Sequence, residues 1–145
     1  MSTRLKVLVA CEFSGIVREA FRRLGHDAIS CDLIETEIPG PHHVGDAVQF
    51  MNSQKWDMVV SHPPCTYLCN SGVRWLFGGK GTVRDEDRFS KMYAACDFFA
   101  AFMASEAPSV CIENPIMHRY ASDYLGSAWG LGRMIKQIVQ PYQHG

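Results

Sequence analysis

The chain has 145 residues, 47% of them hydrophobic and 20% charged, with 14 Lys+Arg against 15 Asp+Glu for a formal charge of -1. These values describe one globular domain over residues 1–145 and exclude disordered or low-complexity character. The even balance leaves any nucleic-acid contact to a local basic patch instead of overall charge.

No stretch approaches the ~18 apolar residues that a membrane span needs. The first four residues lead into a strand-like run, not a secretory leader. Six cysteines, at 11, 31, 65, 69, 96 and 111, therefore read as reduced thiols of a cytoplasmic protein. Cys65 and Cys69 are the only close pair. His42, His43 and His62 lack a third ligand at useful spacing, so no metal site is expected.

In chain order, Val7-Leu8-Val9-Ala10-Cys11 is an unbroken apolar run that suits a strand buried on both faces. A tight turn follows, Glu12-Phe13-Ser14-Gly15. Ser14 is the expected cap of a helix with apolar positions Ile16, Val17, Ala20, Phe21 and Leu24, closed by Gly25. Residues 28–33 form a second strand that carries Asp32. Residues 34–46 read as a loop. A third strand, Met58-Val59-Val60-Ser61, runs into His62-Pro63-Pro64-Cys65. Residues 66–84 show no periodicity and read as a long binding loop. Asp85-Glu86-Asp87 favours a helix start, and Phe89, Met92, Tyr93, Cys96, Phe99 and Met103 mark its apolar face. Val110-Cys111-Ile112 is a fourth strand, ended by Glu113-Asn114-Pro115. Residues 116–134 suit short helices, and 135–139 a further strand.

This alternation predicts an α/β fold with a mainly parallel sheet and helices on both faces. Ligands of such folds bind beyond the C-terminal ends of the strands. Phe13-Ser14-Gly15, Asp32, Asp46, Pro63-Pro64-Cys65 and Glu113-Asn114 all fall at or near strand ends, although they span a hundred residues.

The ordered set resembles the DNA cytosine-5 methyltransferase family, in a short phage- or prophage-like form, over residues 5–115. The resemblance implies a class I, Rossmann-like S-adenosylmethionine-dependent fold, shortened at its C-terminus. It implies that Phe13, Ser14 and Gly15 form the cofactor turn. Asp32 takes the place of the acid on the ribose hydroxyls, and Asp46 that of the acid meeting the adenine amino group. Pro63-Pro64-Cys65 is similar to the Pro-Pro-Cys motif, with Pro63 on the cofactor side, Pro64 on the base side and Cys65 as nucleophile. Glu113-Asn114 matches the Glu-Asn motif that contacts the target cytosine. Val17 stands where the family has its second motif glycine, and Thr66-Tyr67-Leu68 replaces its usual residues after the cysteine. The family's later Gln-x-Arg-x-Arg motif and target-recognition region are not expected in a chain of this length.

The chemistry explains the residue types. Cytosine C5 attacks a methyl donor only after a thiolate has added at C6, which is covalent catalysis. A carboxyl group against N3 steadies the charge, and Glu113 is the candidate. The base must be flipped out or single-stranded. Arg74 and Arg84, in a locally basic stretch, are the candidate contacts to the DNA backbone. Asn114 serves either the substrate or its own turn. A homodimer or a complementing subunit is a possible partner. Two other readings stay open. One is an amino-group methyltransferase, with His62 and Cys65 in place of the polar and aromatic residues of that motif. The other is a non-catalytic cofactor- or DNA-binding module.

Overall fold

The computed structural model describes residues 3–78 and 83–130. The described residues fall into two compact units. One holds the chain up to Pro63 together with Ala101–Ile112, and the other holds Pro64–Ala100 together with residues from Glu113 onward.

The first unit is built on a five-stranded sheet. Its elements in chain order are β1 (Lys6–Ala10), α1 (Ile16–Arg23), β2 (Asp27–Asp32), β3 (His42–Val44), α2 (Ala47–Asn52), β4 (Met58–Ser61) and β5 (Ser109–Ile112). The strands lie in the order β3-β2-β1-β4-β5, and every pairing is parallel. The expected α/β class and parallel sheet are therefore present. β1 is central, and its last four residues are buried, as a strand covered on both faces requires. β3 and β5 are the edges and are more exposed. Val7, Val9 and Ala28 form a buried cluster against which Leu5, Val17, Phe21, Met58 and Val60 pack. Each buried Val contributes about 1.5–3 kcal/mol.

From β1 the chain steps outward to β2 and β3, then returns across the sheet to β4. Right-handed crossovers in opposite directions put α1 and α2 on opposite faces. The order reverses between β1 and β4. Ligands of doubly wound sheets bind at such a switch point.

The structure departs from these expectations in several places, among them a 3-10 helix, Asn70–Phe77, inside the stretch 66–84 expected to be a loop. Ile16 and Leu24 are exposed, so the buried stripe of α1 is narrower than its apolar pattern. Instead Arg18 is fully buried. Residues 34–46 are not all loop, because β3 pairs with the end of β2 through Ser30↔His42 and Asp32↔Val44. The short α2 follows directly, capped by Asp46, whose Oδ1 accepts the Gln49 N–H at 2.7 Å.

The second unit carries a 3-10 helix (Asn70–Phe77), most of α3 (Glu86–Met103) and α4 (Arg119–Trp129). Asp85 caps α3 by accepting the Arg88 N–H at 3.0 Å. Phe89, Met92, Cys96 and Phe99 are buried, as the apolar face predicts. Phe77, Phe89 and Tyr120 pack ring to ring, with centroids 5.4–6.1 Å apart. Asp97 ties α3 to α4 by accepting bonds from Tyr124 Oη (2.8 Å) and Trp129 Nε1 (2.9 Å). The strand expected at 135–139 lies outside the described residues. Among the described residues, no helix is long and apolar enough to cross a membrane.

Candidate active site

At the switch point, β1 ends in strained backbone. Cys11 has φ 60, a left-handed value that costs a non-glycine residue of order 1–3 kcal/mol. Burial pushes its thiol up to about 12, and the charges of Asp32 and Asp46 add to that rise against the opposing effect of the nearby Ser61 hydroxyl. The ends of β1 and β2 and the start of α2 therefore bring Cys11, Asp32 and Asp46 close together. Asp32 is half-buried, and its Oδ1 accepts the Ile34 N–H at 3.2 Å.

Gly15 makes the turn into α1 with φ +83, and a Cβ there would meet Arg18 Nη2 at 2.8 Å and Ile38 Cβ at 3.0 Å. Only glycine fits. The expected Ser14 cap is a minor one, with its Oγ accepting the Ile16 N–H at 3.2 Å. The main cap is Glu12. Its Oε1 accepts from Val17 N (2.6 Å) and Ser14 Oγ (3.1 Å), and its Oε2 from Arg18 N (3.2 Å). A cavity of about 320 Å3, lined by Cys11, Glu12, Phe13, Ser14, Ile16, Val17 and His62, opens here. That lies within the small-molecule range of roughly 300–1,000 Å3. Phe13 is exposed at its rim, and Pro63 is buried just beyond His62.

The Arg18 guanidinium fixes the loop after β2. It donates to Ser30 Oγ (2.9 Å), Thr36 Oγ1 (3.0 Å), the Ile38 carbonyl (2.5 Å) and Glu19 Oε1 (3.0 Å). Ser30 in turn bonds His42 Nδ1 at 2.7 Å, whose Nε2 reaches the Ile34 carbonyl at 2.9 Å. The loop that follows Asp32 is thereby pinned to α1 and β3.

β4 and β5 of the first unit, whose ends Ser61 and Ile112 are partners in register, lead into the two motif loops, which belong to the second unit. Cys65 is half-exposed and Pro64 exposed. The Cys65 carbonyl accepts from Leu68 N (2.9 Å) and Cys69 N (3.1 Å), which closes a turn. Burial, then Cys69, then the Glu113 charge raise the Cys65 thiol above its ordinary value. The carboxylate thus lies within electrostatic reach of the sulfur. A clamp holds the two loops together. Asn70 N donates to the Ile116 carbonyl (3.1 Å), His118 N to the Leu68 carbonyl (2.8 Å) and His118 Nε2 to the Tyr67 carbonyl (2.8 Å).

No family model, curated protein or solved structure matches this chain. The site stands on its own geometry.

That geometry collects the expected residues into two sets. Phe13, Ser14, Gly15, Asp32, Asp46 and Pro63 belong to the first unit. Pro64, Cys65, Arg74, Arg84, Glu113 and Asn114 belong to the second. Asn114 is only 1% exposed and donates to its neighbour's carbonyl, so it fixes the turn. Arg84 is engaged by Glu86 at 3.0 Å and lies over the Phe89 ring at 3.9 Å. Arg74 is exposed beside Trp75, whose ring it covers at 4.5 Å. Trp75 is itself exposed, an Arg–aromatic pair of the kind single-stranded nucleic acid stacks on. The sequence reading passed over Trp75, Glu12, Arg18 and His118. Trp75 alone carried a signal, as an aromatic next to Arg74 in a basic stretch. Among the described residues, no group of three His, Cys, Asp or Glu could hold a metal ion.

Proposed function

We propose that this chain is the catalytic core of an S-adenosylmethionine-dependent DNA cytosine-5 methyltransferase of class I, Rossmann-like type. The observation that carries the reading is the pairing of a half-exposed cysteine with a carboxylate, on loops that leave adjacent parallel strands and are clamped to each other.

The first-unit residues fit the cofactor. Asp32 ends β2 with its Oδ2 available to ribose hydroxyls, Asp46 retains a second carboxylate oxygen, and the Gly15 turn leaves an apolar cavity beside Phe13. When bound, S-adenosylmethionine supplies an electrophilic methyl group. The chain's own residues do the rest. The Cys65 thiol gives up its proton and its sulfur adds to cytosine C6, which makes C5 nucleophilic; once C5 carries the methyl group, its proton leaves to water and the Cys65–C6 bond breaks, restoring the ring and the thiolate. Glu113 holds a proton at N3 as charge builds in the ring. Pro63 and Pro64 stiffen the approach to Cys65. Trp75 and Arg74 offer a surface to the unpaired strand that base flipping produces. Such chemistry belongs with DNA in the cytoplasm.

A non-catalytic module is the second reading, and the Cys65 thiol favours it because burial, Cys69 and Glu113 raise it above its ordinary value. One experiment separates the two. The full chain is incubated with S-adenosylmethionine and single-stranded DNA carrying 5-fluorocytosine. A denaturant-resistant adduct is expected, absent in Cys65→Ala and formed about 10²–10⁴-fold more slowly in Glu113→Gln. No adduct, or one that survives Cys65→Ala, overturns the proposal.

A further inference from the structure

Cys65 and Cys69, the one close cysteine pair in the sequence, are both free thiols and both lie in the second unit. The chain between them makes a single turn, in which the Cys65 carbonyl accepts the Cys69 N–H at 3.1 Å. A turn closed in that way sets its end Cα atoms about 6 Å apart. That lies inside the span of roughly 4.4–6.8 Å over which a disulfide forms. The Cβ atoms start about 5–6 Å apart and must draw in to about 4 Å. Residues 66–68 belong to no helix and Cys69 is extended (φ -94, ψ 160), so no helical ladder resists that movement.

The surroundings fit a reactive pair. After burial, Cys69 does most to raise the Cys65 thiol, ahead of the Glu113 charge, as the nearer group would. Ser71 Oγ lies 3.1 Å from Cys69 Sγ, a hydroxyl placed to steady a thiolate there. Exposure divides the roles. Cys65 is half-exposed and Cys69 only 7% exposed, so an oxidant in solution meets the Cys65 sulfur first.

We propose that Cys65 and Cys69 are a modification site, a dithiol that a small-molecule disulfide oxidises to an intramolecular disulfide. The Cys65 thiol gives its proton to water, and its thiolate attacks one sulfur of the oxidant. The oxidant's S–S bond breaks and one thiolate leaves. Cys69, deprotonated in turn, attacks the Cys65 sulfur and expels the second thiolate. Two protein thiols are oxidised, and one small disulfide is reduced to two thiols. A bond made and broken by exchange is the transient kind that reducing compartments permit. It occupies the sulfur that the proposed methyl transfer needs, but the exchange itself requires neither methyl donor nor DNA.

The full chain is incubated at about pH 8.5, where a free cysteine is half ionised, with oxidised glutathione. It is then quenched with N-ethylmaleimide in acidic denaturant and digested with trypsin. Both cysteines fall in one peptide, Trp56–Arg74. That peptide should appear lighter by two hydrogens and unalkylated, about tenfold or more in excess of the form carrying glutathione, and should revert with dithiothreitol. Cys69→Ser should stop at glutathione on Cys65, and Cys65→Ser should leave Cys69 a thiol. The wild-type result decides the matter even if a variant unfolds.

A wild-type chain that accumulates the glutathione adduct, or keeps both thiols, overturns the proposal. Failure here alongside a Cys65 adduct with 5-fluorocytosine leaves the methyl-transfer reading standing. A disulfide without that cytosine adduct upholds the dithiol and overturns only the methyl-transfer reading.

Discussion

Cys65 has the exposure of a nucleophile but not its charge state. Burial, Cys69 and Glu113 all push the thiol up, against a smaller lowering by its own backbone. The thiolate is the reactive form, so at neutral pH Cys65 is held as the protonated thiol. Two carboxylate-side consequences can be read by alkylation. The pH profile of iodoacetamide reaction at Cys65, followed by peptide mass analysis, has its midpoint above that of a free cysteine, about 8.5. Glu113→Gln removes a raising charge and shifts the midpoint down. A wild-type midpoint at or below the free value contradicts the site as described. The strand exits that carry Cys65 and Glu113 were legible in sequence because Pro-Pro and Asn-Pro mark them. Glu12, Arg18 and His118 were not. Charged and polar types are expected at the surface, and their burial depends on partners twelve to fifty residues away, which no local pattern shows.

His118 holds the two motif loops in place. It is buried, caps α4 by accepting the Ala121 N–H at Nδ1 (3.1 Å), and donates from Nε2 to Tyr67. That arrangement requires the neutral ring, and burial accordingly lowers its pKa below 6.5. The unfolded chain then binds a proton that the folded chain refuses, so stability falls as pH drops through about 6.5 toward the folded value. Urea unfolding between about pH 7.5 and pH 5.5, above the carboxylate range, should show this slope. His118→Asn retains a good cap and should abolish the slope. His118→Ala should cost about 2–3 kcal/mol, from a lost cap and an orphaned carbonyl. An unchanged slope in His118→Asn would exclude His118 as its source. The elements themselves were legible in proportion to their length and burial. β1, β2, β4 and β5 announced themselves as apolar runs, and α3 by apolar residues at helical spacing from Phe89 to Met103. β3 is three residues, two of them His, and exists because it pairs with β2. α2 has six residues, too few for a period to show, and its Asp46 cap was assigned to adenine instead.

The parallel sheet and the helices set a pH limit that no single motif reveals. Cys31 on β2 and Cys96 on α3 are fully buried, one in each unit, and burial pushes their thiols up to about 11 and about 12 from 9.0. Cys11, half-buried at the end of β1, is raised in the same direction. Above pH 9 the unfolded chain loses these protons while the folded chain keeps them. The unfolded state then binds fewer protons, so the stability present below that pH declines as pH climbs toward the folded values. Each fully buried thiol contributes a slope of about 1.4 kcal/mol per pH unit across that window. Urea unfolding at about pH 8 and about pH 10.5 measures the decline. Tyrosines and lysines titrate in the same range, so the wild-type slope alone does not assign it. The double variant Cys31→Ala/Cys96→Ala does: it starts less stable, because two core side chains are trimmed, yet loses less on going alkaline. Each single variant should flatten the curve by part of that amount. If the double variant declines as steeply as the wild type, the two thiols are not what burial makes them, and the packing assigned to β2 and α3 is wrong at those positions.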